Sequence, residues 1–209
     1  MTEAPRPRRT QQERRAATVA KLVDATIAAI GEVGYQRATV QEICTRAGLS
    51  AGAMFRQFDT RLDLIVRTAR EAFAQQLNGF GAAMEHLGAQ ENALDVALRF
   101  LRQAQSSNLI HALREIYLAA RSDSELRERI ASIADEYYRE IVATLNRTGL
   151  LDDFPEQVRE PLFFMMLHLF SGEAVVRGVY QRPDLDESVL ALVEDMLAVY
   201  AARLSSRES

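Results

Sequence analysis

The 209-residue sequence predicts an all-α protein, with an N-terminal three-helix helix-turn-helix domain followed by a helical bundle. Three observations predict it. Apolar residues recur at helical spacing in segment after segment, and no stretch shows the alternation of a strand. Small polar residues followed three positions later by a carboxylate mark helix starts, and glycines stand where those helices would stop. The third observation is the stretch Thr39 to Leu64, which packs two such start signals and a glycine turn into very little chain.

Met1 to Gln12 has no periodicity and is basic, so residues 1–12 read as a flexible arm. From about Glu13 to Val33, the residues Val19, Leu22, Val23, Ala25, Ile27 and Ile30 form one apolar stripe, which Gly34 ends. Thr39 with Glu42 fits a capping box, the hydroxyl accepting from the third helical amide while the carboxylate reaches back to the cap amide. That helix runs to about Ala47. Gly48 then turns the chain, because a residue without a Cβ takes positive φ at no steric cost. Ser50 caps a second short helix that runs to Gln57. Thr60 with Asp63 repeats the cap pattern and opens a third. Ile43, Met54, Phe58 and Ile65 supply apolar side chains to lock the corner. Two short helices meeting at such a corner form a helix-turn-helix, a reader of DNA.

The helix opened by Thr60 continues to Gly88 as a connecting segment over residues 60–88. Gly79 and Gly81 lie inside it, each weakening a helix by roughly 1 kcal/mol relative to alanine, which predicts a bend or break near residue 80. Residues 13–59 read as the DNA-binding domain and residues 89–209 as a C-terminal helical domain. Ala93 to Gln105 and Ile110 to Ala120 are amphipathic. Ser122 with Glu125 signals a long helix carrying Leu126, Ile130, Ile133, Tyr137, Ile141 and Leu145 to Gly149. Asp153 to Glu156 opens a helix whose segment PLFFMMLHLF is apolar nearly all round, so it needs cover on every side. The last helix starts near Asp184, with Glu187 as its capping partner.

Charge sharpens the division. The net charge is −4, yet residues 1–70 hold twelve Arg or Lys against seven Asp or Glu, and the acidic excess lies wholly in the remainder. A basic head on an acidic body suits a protein that meets phosphate at one end. Arg6, Arg8 and Arg9 on the arm suit a minor groove or a run of phosphates. Cys44 is the sole cysteine, which excludes an intrachain disulfide and agrees with a reducing cytoplasm. The N-terminus lacks the apolar core of a secretory signal, and no apolar run approaches the ~18 residues of a membrane span. An enzyme is disfavoured. None of the three histidines follows a glutamate by three positions as a di-iron bundle requires, and neither a phosphate-binding loop nor a paired-cysteine motif is present. No catalytic residue, metal or cofactor is expected.

Gly34-Tyr35, Thr39-Val40, Ile43, Ala47-Gly48-Leu49-Ser50, Gly52, Phe55, Phe58 and Leu64, in that order, resemble the N-terminal domain of the tetracycline-repressor (TetR) family of bacterial transcription regulators. Three positions depart from it. Ala51, Phe55 and Gln57 stand where the family commonly has lysine, tyrosine and histidine, and Arg61 stands where it has a lysine. The resemblance implies DNA contacts at Thr39, Gln41, Arg46, Ser50, Ala51, Gly52, Ala53, Phe55, Gln57 and Arg61. Of these, Thr39, Ser50, Gln57 and Arg61 are expected on the phosphate backbone, with Gln41, Arg46, Ala51 and Phe55 nearer the bases. It further implies a regulatory and dimerisation role for residues 89–209, a homodimer through the last two long helices and a repressor on a palindromic operator in double-stranded DNA. A small, largely apolar effector would release it, from a pocket that we assign to Phe80, Met84, Phe100, His111, Tyr117, Tyr137 and Met165. His111 and Glu115, one turn apart, are a candidate polar pair. The alternative is a helix-turn-helix protein that organises DNA without an effector.

Overall fold

The computed structural model describes residues 10–87 and 93–208, and among them it forms nine α-helices, one 3-10 turn and no strand. The arginines of the N-terminal arm and Gly88 lie outside the described residues. The helices are α1 (Gln11–Val33), α2 (Val40–Ala47), α3 (Ala51–Phe55), α4 (Arg61–Leu87), α5 (Ala93–Ala104), α6 (Asn108–Ala120), α7 (Ser124–Thr148), α8 (Glu156–Arg177) and α9 (Asp186–Glu208).

The chain separates into two compact units. The first comprises the chain up to Ala72 together with His111–Ile133, and the second Phe73–Ile110 with Ala134–Ser209. The division passes through α4 and α7, so the middle of the chain returns to the N-terminal unit. The expected boundary near residue 88 does not coincide with it. Helical periodicity says that a stretch is a helix, but not which neighbours its stripe meets.

In the first unit, Leu22, Val23, Ala29 and Ile30 of α1 are buried, as are Ile43, Met54, Leu64 and Ile65. Ala112, Leu113 and Ile116 of α6 and Leu126 and Ile130 of α7 are buried in the same unit. Cys44 is buried too, and burial pushes its thiol pKa up, so it is held as an inert thiol.

In the second unit one core joins Leu98 of α5 to Phe154, to Leu162, Met166 and Phe170 of α8, and to Leu190, Val193 and Leu197 of α9. Another gathers Phe80 and Met84 of α4, Ile141 and Leu145 of α7, and Phe163 of α8. Polar ties fasten these helices. Arg102 of α5 and Arg177 of α8 share Glu173 and Asp186, with Arg177 at 2.6 and 2.7 Å from the two carboxylates.

Several helix starts differ from expectation. α1 begins earlier, because Thr10 and Glu13 complete a capping box, Thr10 N–H donating to the Glu13 carboxylate at 2.7 Å. Asp123, not Ser122, caps α7, accepting from the Leu126 amide at 3.0 Å. α8 has Pro155 at its cap position and no side-chain cap bond. Asp184 is held by Arg182 in the 3-10 turn, and Glu187 is bound by Arg99, so the two do not box α9. α4 remains helical through Gly79 and Gly81 without the predicted break.

Candidate nucleic-acid interface

The corner is built by local chemistry. Thr39 Oγ1 accepts from the Glu42 amide at 3.2 Å, but the reciprocal half of the box is not made. Glu42 instead takes the Arg46 Nε at 2.7 Å, one turn along α2. Gly48 adopts φ 64° and ψ 36°, and the Leu49 amide donates to Cys44 O at 2.9 Å, closing α2 in left-handed geometry. Ser50 Oγ accepts from the Ala53 amide at 3.2 Å and starts α3. Thr60 and Asp63 form the reciprocal pair at the head of α4, with bonds of 2.9 and 3.0 Å.

Ser50, Ala51, Gly52 and Phe55 form the exposed front of α3. Phe55 is 50% exposed, a large share for a ring in a domain this small. Gln41 of α2 and its cap residue Thr39 are exposed too. Ala53, expected at this front, is buried together with Met54. A helix turns about 100° per residue, so a side chain two positions after Ala51 faces the interior.

The long polar groups are already occupied. Arg46 is tied to Glu32 at 2.6 Å and to Glu42 at 2.7 Å, which neutralises it and draws it toward α1, away from the role nearer the bases. Arg61 donates to Ala38 O at 2.8 Å and Tyr35 O at 2.5 Å, and its guanidinium lies 4.5 Å over the Tyr35 ring. It therefore braces the loop before α2. Gln57 Oε1 accepts from Arg15 Nε at 3.1 Å. Arginine can only donate, so this bond fixes the Gln57 carbonyl toward Arg15 and leaves its NH2 to donate elsewhere.

Residues 22–68 match the family model described as bacterial regulatory proteins, tetR family. An uncharacterized HTH-type transcriptional regulator of Mycobacterium tuberculosis is 36% identical over 189 residues, which cover 90% of this chain and 97% of that one. The chain belongs to the tetR family. CymR of Pseudomonas putida, an HTH-type transcriptional regulator, is 30% identical over 59% of this chain and 61% of its own. A crystal structure from Mesorhizobium loti, of a protein assigned to the same family, superposes with a TM-score of 0.71 at 22% identity. It covers 89% of this chain and 98% of that chain. The segment matched by the family model, residues 22–68, spans α2 and α3.

The expected effector residues are dispersed. Phe80 and Met84 line an apolar cavity of about 50 Å3 in the second unit, with Leu98, Leu145, Phe163 and Met166. Phe100 lies 6.5 Å from Phe80 ring to ring, and Phe100 and Tyr137 both pack against the same core. Burial, and then Tyr138, pushes the Tyr137 phenol pKa up, so it stays neutral. Met165 is elsewhere. It is 50% exposed on a groove of about 670 Å3 between α8 and α9, lined also by Pro161, Met196, Val199 and Tyr200. His111 and Tyr117 belong to the first unit and are not among the cavity's lining residues. His111 Nδ1 accepts from Arg114 at 3.1 Å, and Glu115 turns to the Tyr35 amide, so the expected His111–Glu115 pair does not form. The cavity's aliphatic lining was missed because leucines at core positions carry no signal separating a cavity wall from a filled core.

Proposed function

We propose that this tetR-family regulator represses transcription by binding a palindromic operator as a homodimer, and that a small apolar effector releases it. The observation that carries the reading is the α2–α3 corner, capped at Thr39 and Ser50 and turned at Gly48, with Phe55 held outward on a basic N-terminal segment. Thr39, Ser50 and Gln57 donate to phosphates. Ala51 and Phe55 meet bases through apolar contact, which selects the thymine methyl. Replacing Phe55 with alanine is expected to reduce operator affinity about tenfold, the scale of the ~1 to 3 kcal/mol that one mismatched base pair costs.

Dimerisation supplies what one reader lacks. A twofold pair places two reading helices ~34 to 36 Å apart, one turn of DNA. Met165, Leu169, Leu192, Met196 and Val199 lie exposed on α8 and α9, and a second copy of the chain covers them. The protein works in the cytoplasm, and among the described residues no helix is long and apolar enough to cross a membrane.

The cavity of about 50 Å3 supports an apolar effector but is far below the ~300 Å3 of a typical ligand pocket. The effector must therefore widen it, and only a ligand that binds the widened state more tightly shifts the protein toward release. The same small volume favours a second reading, a DNA-organising protein with no effector. A gel-shift against the DNA upstream of the protein's own gene, in a salt series, tests the first reading. A specific complex that weakens steeply with salt supports it. Equal affinity for unrelated DNA removes it. Failure of every apolar ligand tried to change either the melting temperature or operator affinity would leave the second.

A further inference from the structure

Residues 34–38, between α1 and α2, are held from two directions. Glu115 of α6, eighty positions away in the chain, accepts the Tyr35 backbone N–H on Oε2 at 3.2 Å. The same oxygen lies 3.3 Å from where a Cβ on Gly34 would stand, and Gly34 has φ +81°. On the other side, Arg61 of α4 donates to the Tyr35 and Ala38 carbonyls and stacks on the Tyr35 ring. Tyr35 and Ala38 are both buried, and Thr39, the cap of α2, follows directly.

We infer that Glu115 is a positioning residue for the DNA reader, its carboxylate fixing from α6 the corner out of which α2 and α3 run. The inference rests on the DNA-binding function proposed above. The bond is part-buried, and an amide largely shielded from water needs an acceptor, since leaving one unmet costs enough to reshape a short loop. No carbonyl within the corner takes the Tyr35 N–H, so its geometry depends on a side chain brought from α6. Gly34 is matched to that side chain. Any Cβ there crowds the carboxylate, and an L side chain is strained at its φ. Because Thr39, the cap of α2, directly follows Ala38, a tilt of the corner becomes a tilt of the helix pair that meets the operator. Glu115 thus sets the reader's aim without touching DNA.

The test uses the full-length protein and its Glu115→Ala and Glu115→Gln variants. Binding is measured to a duplex of the upstream DNA and to an unrelated duplex of equal length, beside hydrogen exchange at the Tyr35 amide. Glu115→Ala is expected to bind the upstream duplex roughly tenfold more weakly, the scale of one lost hydrogen bond to a charged group. Its affinity for unrelated DNA is expected to stay within about twofold, since phosphate contacts dominate there. Tyr35 exchange should accelerate. Glu115→Gln keeps an acceptor oxygen and should restore both affinity and protection, which a general loss of stability would not do. Unchanged upstream affinity in Glu115→Ala overturns the inference, as does Glu115→Gln failing as badly as alanine. If the wild type does not prefer its upstream DNA, the DNA-binding proposal fails. The exchange rate of Tyr35 then still decides whether Glu115 holds the corner, and unchanged protection in Glu115→Ala overturns it.

Discussion

Around the α2–α3 corner, Arg46, Gln57 and Arg61 are bonded within the protein, whereas along α8 and α9 large apolar side chains stand open to solvent. Met196 is 61% and Val199 69% exposed, while Met54 and Ile43 of the reader are fully buried. The two surfaces suit different kinds of association. A reader whose polar groups are pre-placed by internal bonds gives up little freedom on meeting DNA and can leave it again. A face of exposed Met, Val and Leu gains by being covered and kept covered, since the hydrophobic contribution grows with buried apolar area.

The hardest way to break that contrast is to put charge on the second surface. Met196→Asp is expected to yield a folded monomer in sedimentation and to lower operator affinity by about 100-fold or more, as losing one of two linked readers does. An unchanged dimer would place the interface elsewhere. At the reader, Gly48→Ala acts through the backbone alone, since nothing lies within 4 Å of its missing Cβ. Forcing left-handed geometry on a side chain costs about 1 to 2 kcal/mol, read as a drop in melting temperature. Gly79→Ala, inside the unbroken α4, should instead raise it slightly.

Smaller effects refine the reader's chemistry. Ala51→Lys is expected to tighten operator binding a few-fold and to steepen the salt slope by about one unit, because one more phosphate is neutralised. Gln57→Ala should weaken binding evenly across DNA sequences, as loss of a backbone contact does. The smallest concerns Asp63. The Thr60 hydroxyl and the Arg129 guanidinium hold its carboxyl below the usual aspartate value. A lowered pKa in the folded state stabilises above the unfolded value, and that contribution is lost as pH falls through the lowered one. Asp63→Asn should thus be less stable than wild type near neutral pH, with the difference closing below about pH 4 in thermal melts.

Caps and the turn were legible in the sequence because they are local. Thr39, Gly48, Ser50 and the Thr60–Asp63 pair act within a few residues of themselves, so the order of residue types was enough. What could not be read is the partnering of long side chains. Arg15 meets Gln57 forty-two positions on, Arg61 reaches back twenty-six to Tyr35, and Glu115 spans eighty. Spacing along one helix suggested His111 with Glu115, but the Tyr35 amide just beyond α1 was the stronger claimant. The same reasoning accounts for Ala53. Its neighbours in sequence lie at the front of α3, and only the helical rotation turns it inward.

The lone thiol gives the reader a built-in clock. Cys44 is 4% exposed beneath the corner, and the chain holds no other cysteine. A thiol-specific dye can modify it only in molecules whose helix-turn-helix has opened, so the labelling rate under slow-reagent conditions counts the open fraction. Added operator should slow that clock, and no mutation or tag is needed to hear it tick.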